Sequence, residues 1–132
     1  MWSKNIKIMK QEIKSANAPG AIGPYSQAVK AGNLIFVSGQ LPINAATGEM
    51  PADIKAQTRE SIKNIKAILA EAGATLDNVV KTTVFLADME YFAPMNEVYA
   101  EEFKAVFPAR CAFAVKELPK KALVEIEVIA AL

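Results

Sequence analysis

The chain has 132 residues, a formal net charge of +1, 52% hydrophobic residues, one cysteine and no histidine. That length supports one domain with a real core, and so balanced a charge leaves no electrostatic footprint for nucleic acid. Without histidine there is no imidazole acid–base catalysis, no Ser-His-Asp or Cys-His arrangement and no commonest zinc ligand, so a protein-bound catalytic metal is not expected. The lone Cys111 excludes an intrachain disulfide framework and suits a reducing cytoplasm. No apolar run approaches the roughly 20 residues that span a bilayer. The apolar surplus predicts surface covered by a partner chain, hence a homo-oligomer.

In chain order, Met9 offers a second start, and residues 1–8 read as an N-terminal extension with no h-region and no assigned function. Residues 9–132 read as one domain. Lys10 to Ile13 is predicted as an edge strand, and Ala18 to Pro24 as a Gly/Pro loop. Tyr25 to Lys30 resumes as a strand, Ala31-Gly32-Asn33 turns, and the β-branched run Leu34 to Ser38 reads as a buried strand. A helix runs from an Asp53 cap to a Gly73 stop, with Ile54, Thr58, Ile62, Ile65, Ile68, Leu69 and Ala72 on one face. Asn78 to Leu86 is a strand. Asp88 to Phe107 is predicted helical, with Pro94 in a first turn, an apolar face from Phe92 to Val106, and Pro108 as its stop. Strands over Cys111 to Lys116 and Leu123 to Ala131 complete the chain. The order implies an α+β two-layer sandwich, a mixed sheet with two helices on one face. The bare face needs cover, which agrees with an oligomer.

The chemistry concentrates near the C-terminus. Only two of the fifteen basic residues are arginines. Arg59 sits in the helical pattern and reads as surface. Arg110 stands at the mouth of a strand, and its planar fork suits bidentate capture of a carboxylate, which lysine cannot reproduce. On that segment alone, a structural ion pair accounts for Arg110 equally well. On the last strand, alternation places Val124, Ile126 and Val128 on one face and Glu125, Glu127 and Ile129 on the other.

Several pieces occur in a characteristic order: Ala18-Pro19, Gly23-Pro24-Tyr25-Ser26-Gln27-Ala28, Phe36-Val37-Ser38-Gly39-Gln40 and Pro42. Gln57-Thr58, Val84-Phe85-Leu86 with Asp88, and Met95-Asn96 with Val98-Tyr99 follow. Phe107-Pro108-Ala109-Arg110, Leu118-Pro119 and Val124-Glu125-Ile126-Glu127 close the series. From about Met9 to Ala131 this pattern resembles the reactive-intermediate imine deaminase (RidA/YjgF) family, known earlier as the L-PSP endoribonuclease or translation-inhibitor family. The resemblance implies a chorismate-mutase-like α+β subunit, a homotrimer with ligand clefts between subunits, and a cytoplasmic enzyme with no cofactor or metal. The implied reaction hydrolyses small anionic 2-imino acids, such as 2-iminobutanoate and 2-iminopropanoate, to 2-keto acids and ammonia.

It also implies roles. Arg110 clamps the substrate carboxylate, Glu125 positions or activates the attacking water, and the Tyr25 hydroxyl binds near the imine nitrogen. Ser38 and Gly39 lie where the family uses backbone groups, although a turn requirement explains Gly39 equally well. Asn96 reads as a support to the site, and Glu127 as a solvated or salt-bridged strand residue. Many members carry Ser or Thr directly after the arginine, then cysteine. Here Cys111 and Ala112 hold those positions, and Cys111 reads as a small cleft-lining residue, because no histidine is present to activate it. Phe92 and Phe113 read as core or cleft wall, with core the default for each. Two other classes stand beside the deaminase: an RNA-acting translation inhibitor or endoribonuclease, and a keto-acid-binding or chaperone-like module without turnover.

Overall fold

A computed structural model describes residues 9–132; the expected extension over residues 1–8 lies outside the described residues. Six strands form one sheet: β1 (Lys10–Ile13), β2 (Ala28–Ala31), β3 (Leu34–Gln40), β4 (Val79–Leu86), β5 (Ala109–Ala114) and β6 (Val124–Ala131). Their spatial order is β1-β2-β3-β6-β4-β5. Every pairing is antiparallel except β4 with β5, which a helical crossover must join. Two helices, α1 (Ile54–Glu71) and α2 (Phe92–Glu102), pack against each other and cover one side of the sheet.

The core lies between helices and sheet. Ile62, Ile65, Ile68 and Leu69 of α1 meet Ile35, Val84, Leu86, Val124 and Ile126, all fully buried. Asp53 caps α1 by accepting from Ala56 N at 2.7 Å. Gly73, at φ +73°, gives the left-handed turn that carries the chain out of α1. The buried polar residues of α1 tie down neighbouring backbone. Ser61 donates to Gln40 O at 2.7 Å, and Asn64 donates to Leu41 O and Ile43 O. The Gln57 amide accepts from Leu123 N at 2.8 Å, just before β6. These bonds fix the end of β3 and the start of β6, which is where Gly39 and Glu125 stand.

Several sequence expectations change. The strand expected from Tyr25 begins only at Ala28, because Tyr25 N turns back to Gly23 O and the Gln27 side chain bonds Ser15 and Pro19 instead of presenting a free edge. The second helix stops at Glu102, not at Phe107. Phe103 turns extended and stays buried, and residues 103–108 descend from the helix layer so that β5 can pair from Ala109. Val106, expected on the apolar face, is 97% exposed. The fifth strand accordingly starts two residues earlier than expected and ends at Ala114. Phe113 is not core either: it is 44% exposed on the uncovered side, edge-on to Phe85.

Candidate active site

The residues singled out by sequence divide into two groups on opposite faces of the sheet. Register decides this. Arg110 pairs with Thr82, and Thr82 bonds upward to α2, so Arg110 lies on the helix side. Glu125 pairs with Phe85, whose neighbour across the other ladder is Phe113, so Glu125 lies on the uncovered side. Within one chain the two groups do not converge.

Arg110 is received by one stripe of α2. Phe92, Asn96 and Tyr99 follow the i, i+4, i+7 spacing that aligns side chains along a helix face. Arg110 Nη1 donates to Asn96 Oδ1 at 2.7 Å. The guanidinium carbon lies over the Tyr99 ring, 4.7 Å from its centroid, and 5.6 Å from that of Phe92. Tyr99 is buried, and its hydroxyl shares a 2.8 Å hydrogen bond with the Thr82 hydroxyl. Burial pushes the Tyr99 phenol above its usual range, while Thr82 and Arg110 pull it back. A cavity of about 350 Å³ opens beside the guanidinium, lined by Asn96, Tyr99, Ala100, Phe107, Pro108 and Arg110. The ion pairs among the described residues engage Lys55, Arg59 and Lys66, and none engages Arg110. Among the described residues no ion pair accounts for Arg110, which lines the opening. Arg59 is the surface residue expected, 3.5 Å from Glu101.

The second group gathers at the end of β3. A Cβ built on Gly39 would lie 2.9 Å from the Glu125 carboxyl carbon and 3.2 Å from its Cγ, so glycine is required there as clearance. The turn explanation for Gly39 loses, since its φ is not positive. Glu125 is half-buried, and its carboxyl is raised above the ordinary range first by desolvation and then by Glu127. Ser38 donates its hydroxyl to Ser26 O at 2.6 Å and its N–H to Gln27 O, so its side chain holds the loop beside Tyr25. Tyr25 is 52% exposed, not core, and its hydroxyl accepts from Ile22 N at 3.4 Å.

Cys111 is exposed and by register shares the uncovered face with Thr83 and Glu127. Ala112 lies on the helix side with Arg110 and packs against the core. Tyr99 was expected only on the apolar face of the second helix, and Thr82 only within a strand. The signal was present in the spacing of Phe92, Asn96 and Tyr99. Among the described residues no cluster of Cys, Asp and Glu could hold a metal ion, and no helix is long and apolar enough to cross a membrane.

The fold and these groups define a small α+β domain with an unpaired arginine beside a cavity on one face and a desolvated carboxylate on the other. The family model described as Endoribonuclease L-PSP matches residues 15–132, and the chain belongs to that family, also called RidA/YjgF. It is 58% identical over 123 residues to a RutC family protein of Pyrococcus horikoshii, covering 92% of this chain and 98% of the relative. It is 50% identical over 125 residues to the 2-iminobutanoate/2-iminopropanoate deaminase of Escherichia coli, with the same shares covered. The crystal structure of E. coli TdcF with bound serine superposes with a TM-score of 0.90 at 45% identity, covering 92% of this chain and 98% of that one.

Proposed function

We propose that the protein is a cofactor-independent 2-imino acid deaminase of the cytoplasm, acting on 2-iminobutanoate and 2-iminopropanoate in clefts between the subunits of a homotrimer. The observation that carries this reading is the Arg110 fork, seated by α2 and paired with no carboxylate among the described residues. Its complement is a small carboxylate, and a 2-imino acid has one fixed anionic handle. The deaminase name of the E. coli relative and the serine held by TdcF point to the same ligand class.

The opposite placement of Arg110 and Glu125 supports a composite site. In this reading one copy contributes Arg110 with Asn96, and a neighbour contributes Glu125, Gly39, Ser38 and Tyr25. The exposed Phe36 and Phe113 on the uncovered face supply apolar area for such an assembly. With the carboxylate on Arg110, Glu125 takes a proton from water as the water oxygen bonds to C2. The C=N electron pair moves to nitrogen, held near the Tyr25 hydroxyl, and nitrogen takes that proton from Glu125 to give the carbinolamine. As the carbinolamine collapses, its hydroxyl proton passes through Glu125 to the departing nitrogen, the C–N bond breaks, the ketone forms, ammonia leaves and Glu125 ends ionised. The raised Glu125 carboxyl suits a group that takes and returns a proton.

The test generates 2-iminobutanoate in situ from threonine with a dehydratase and follows keto-acid release against a semicarbazide trap. Acceleration by the wild type that Arg110→Ala abolishes is expected. No acceleration would leave the fold serving binding alone and would overturn the proposal.

A further inference from the structure

We propose that Tyr99 is a positioning residue for this reaction: its ring is the seat that sets the plane of the Arg110 guanidinium, and Thr82 holds the seat in place. The inference rests on the carboxylate-capture reading and concerns a residue that acts through Arg110. Arginine on an edge strand has several rotatable bonds, and an unrestrained fork would present its donors in many directions. A carboxylate docks in the plane of the guanidinium through two parallel N–H bonds. A polar partner in that plane competes with the substrate for donors, whereas a ring over the guanidinium restrains the plane and takes none. Arg110 uses both devices sparingly. Asn96 occupies one Nη1 direction, and the Tyr99 ring lies over the group at 4.7 Å.

The ring is itself held from two sides. Phe103 stacks on it with centroids 4.4 Å apart, and the hydroxyl is bonded to Thr82 at 2.8 Å. Thr82 is the residue paired with Arg110 across the parallel ladder, so the anchor of the seat and the root of the clamp stand on one rung of the sheet. Phenylalanine would fill the core at this position equally well. The buried phenol with a buried threonine as its partner is more than packing demands, and it ties α2 to the strand beside β5.

The test measures kcat and KM for 2-iminobutanoate, and the Kd of 2-oxobutanoate by calorimetry, in Tyr99→Leu, Tyr99→Phe and Thr82→Val. Thermal melts establish that each variant is folded. Removing the ring face in Tyr99→Leu is expected to raise KM and Kd about tenfold, with a smaller fall in kcat. Tyr99→Phe and Thr82→Val keep the ring but cut its tether, so KM and Kd are expected to rise about threefold in each, and wild-type values in both would remove Thr82 from the seat. In an Arg110→Lys background, Tyr99→Leu should change the residual Kd less than about twofold, because an ammonium has no plane to set. Tyr99→Leu with wild-type KM and Kd, or with equal losses in both backgrounds, would overturn the seat while leaving the deaminase standing. A wild type that neither turns over the imine nor binds the keto acid would overturn both. Should the leucine variant fail to fold, Tyr99→Met, which refills the space with a flexible side chain, carries the same comparison.

Discussion

Arg110 and Glu125 are mounted in contrasting ways. Arg110 stands on an edge strand, and other side chains aim it: Asn96 by a hydrogen bond, Tyr99 and Phe92 by their rings. Glu125 stands on β6, flanked by β3 and β4, and is aimed by strand alternation and by the missing side chain at Gly39. The arginine depends on side chains of its own fold for its aim. The carboxylate depends on backbone clearance, where an added Cβ would displace it.

Replacing the groups themselves tests the contrast most severely. Arg110→Ala should lower kcat/KM at least about 100-fold, and Arg110→Lys most of that, since a point charge cannot hold a carboxylate bidentately. Arg110→Ala gives up the exposed Asn96 hydrogen bond and the ring contacts, so the melting temperature should fall by only a few degrees. Mixing and reassembling Arg110→Ala with Glu125→Gln then asks whether the halves meet between copies. In a ring, about a quarter of the sites would regain both groups, so activity should return; a mixture as inactive as its components would overturn the composite site. Gly39→Ala comes next. Its Cβ must push the Glu125 side chain aside, so kcat should fall about tenfold with little loss of stability, because the displaced group is the far end of a flexible side chain.

Protonation sharpens the same half. Glu125 is raised by desolvation first and by Glu127 second, and the protonated carboxyl cannot accept water's proton. Activity should therefore fall as pH drops through the raised pKa, and Glu127→Gln should move that limb of the kcat/KM profile to lower pH. Stability has the opposite sign. The folded chain holds the Glu125 proton more tightly than the unfolded chain, so stability declines as pH rises from the unfolded to the folded pKa. Glu125→Gln should remove that decline in a urea titration run across this window. The smallest effect lies in the turn leading to β6. Lys121 adopts φ +56°, and Lys121→Gly should stabilise by about 1 kcal/mol with no change in rate, read from denaturant midpoints.

Sequence made the Glu125 half legible because β6 alternates strictly: Val124, Ile126 and Val128 are buried, and Glu127 is exposed. It hid the sidedness of Arg110. Ala109 to Ala114 carries no polar–apolar alternation, so nothing in the strand itself says which face the arginine takes; only pairing with Thr82 does. The first helix was clear from its cap, its stop and its apolar face. The second was read too long because Phe103 and Val106 continue its period, although the chain leaves the helix to reach the sheet edge. Tyr99 looked like packing because burial and aromatic character describe a seat and a core residue alike.

The strand order also carries a timetable. Arg110, its α2 stripe and Thr82 all belong to β4-α2-β5, neighbours in sequence. The Glu125 half needs β3 beside β6, with Leu34 opposite Ala131, which closes a loop over most of the chain. Local contacts form before distant ones are worth their loop-closure entropy. The arginine seat is thus a structure the nascent chain can assemble early, and the carboxylate joins its glycine only when the last strand arrives.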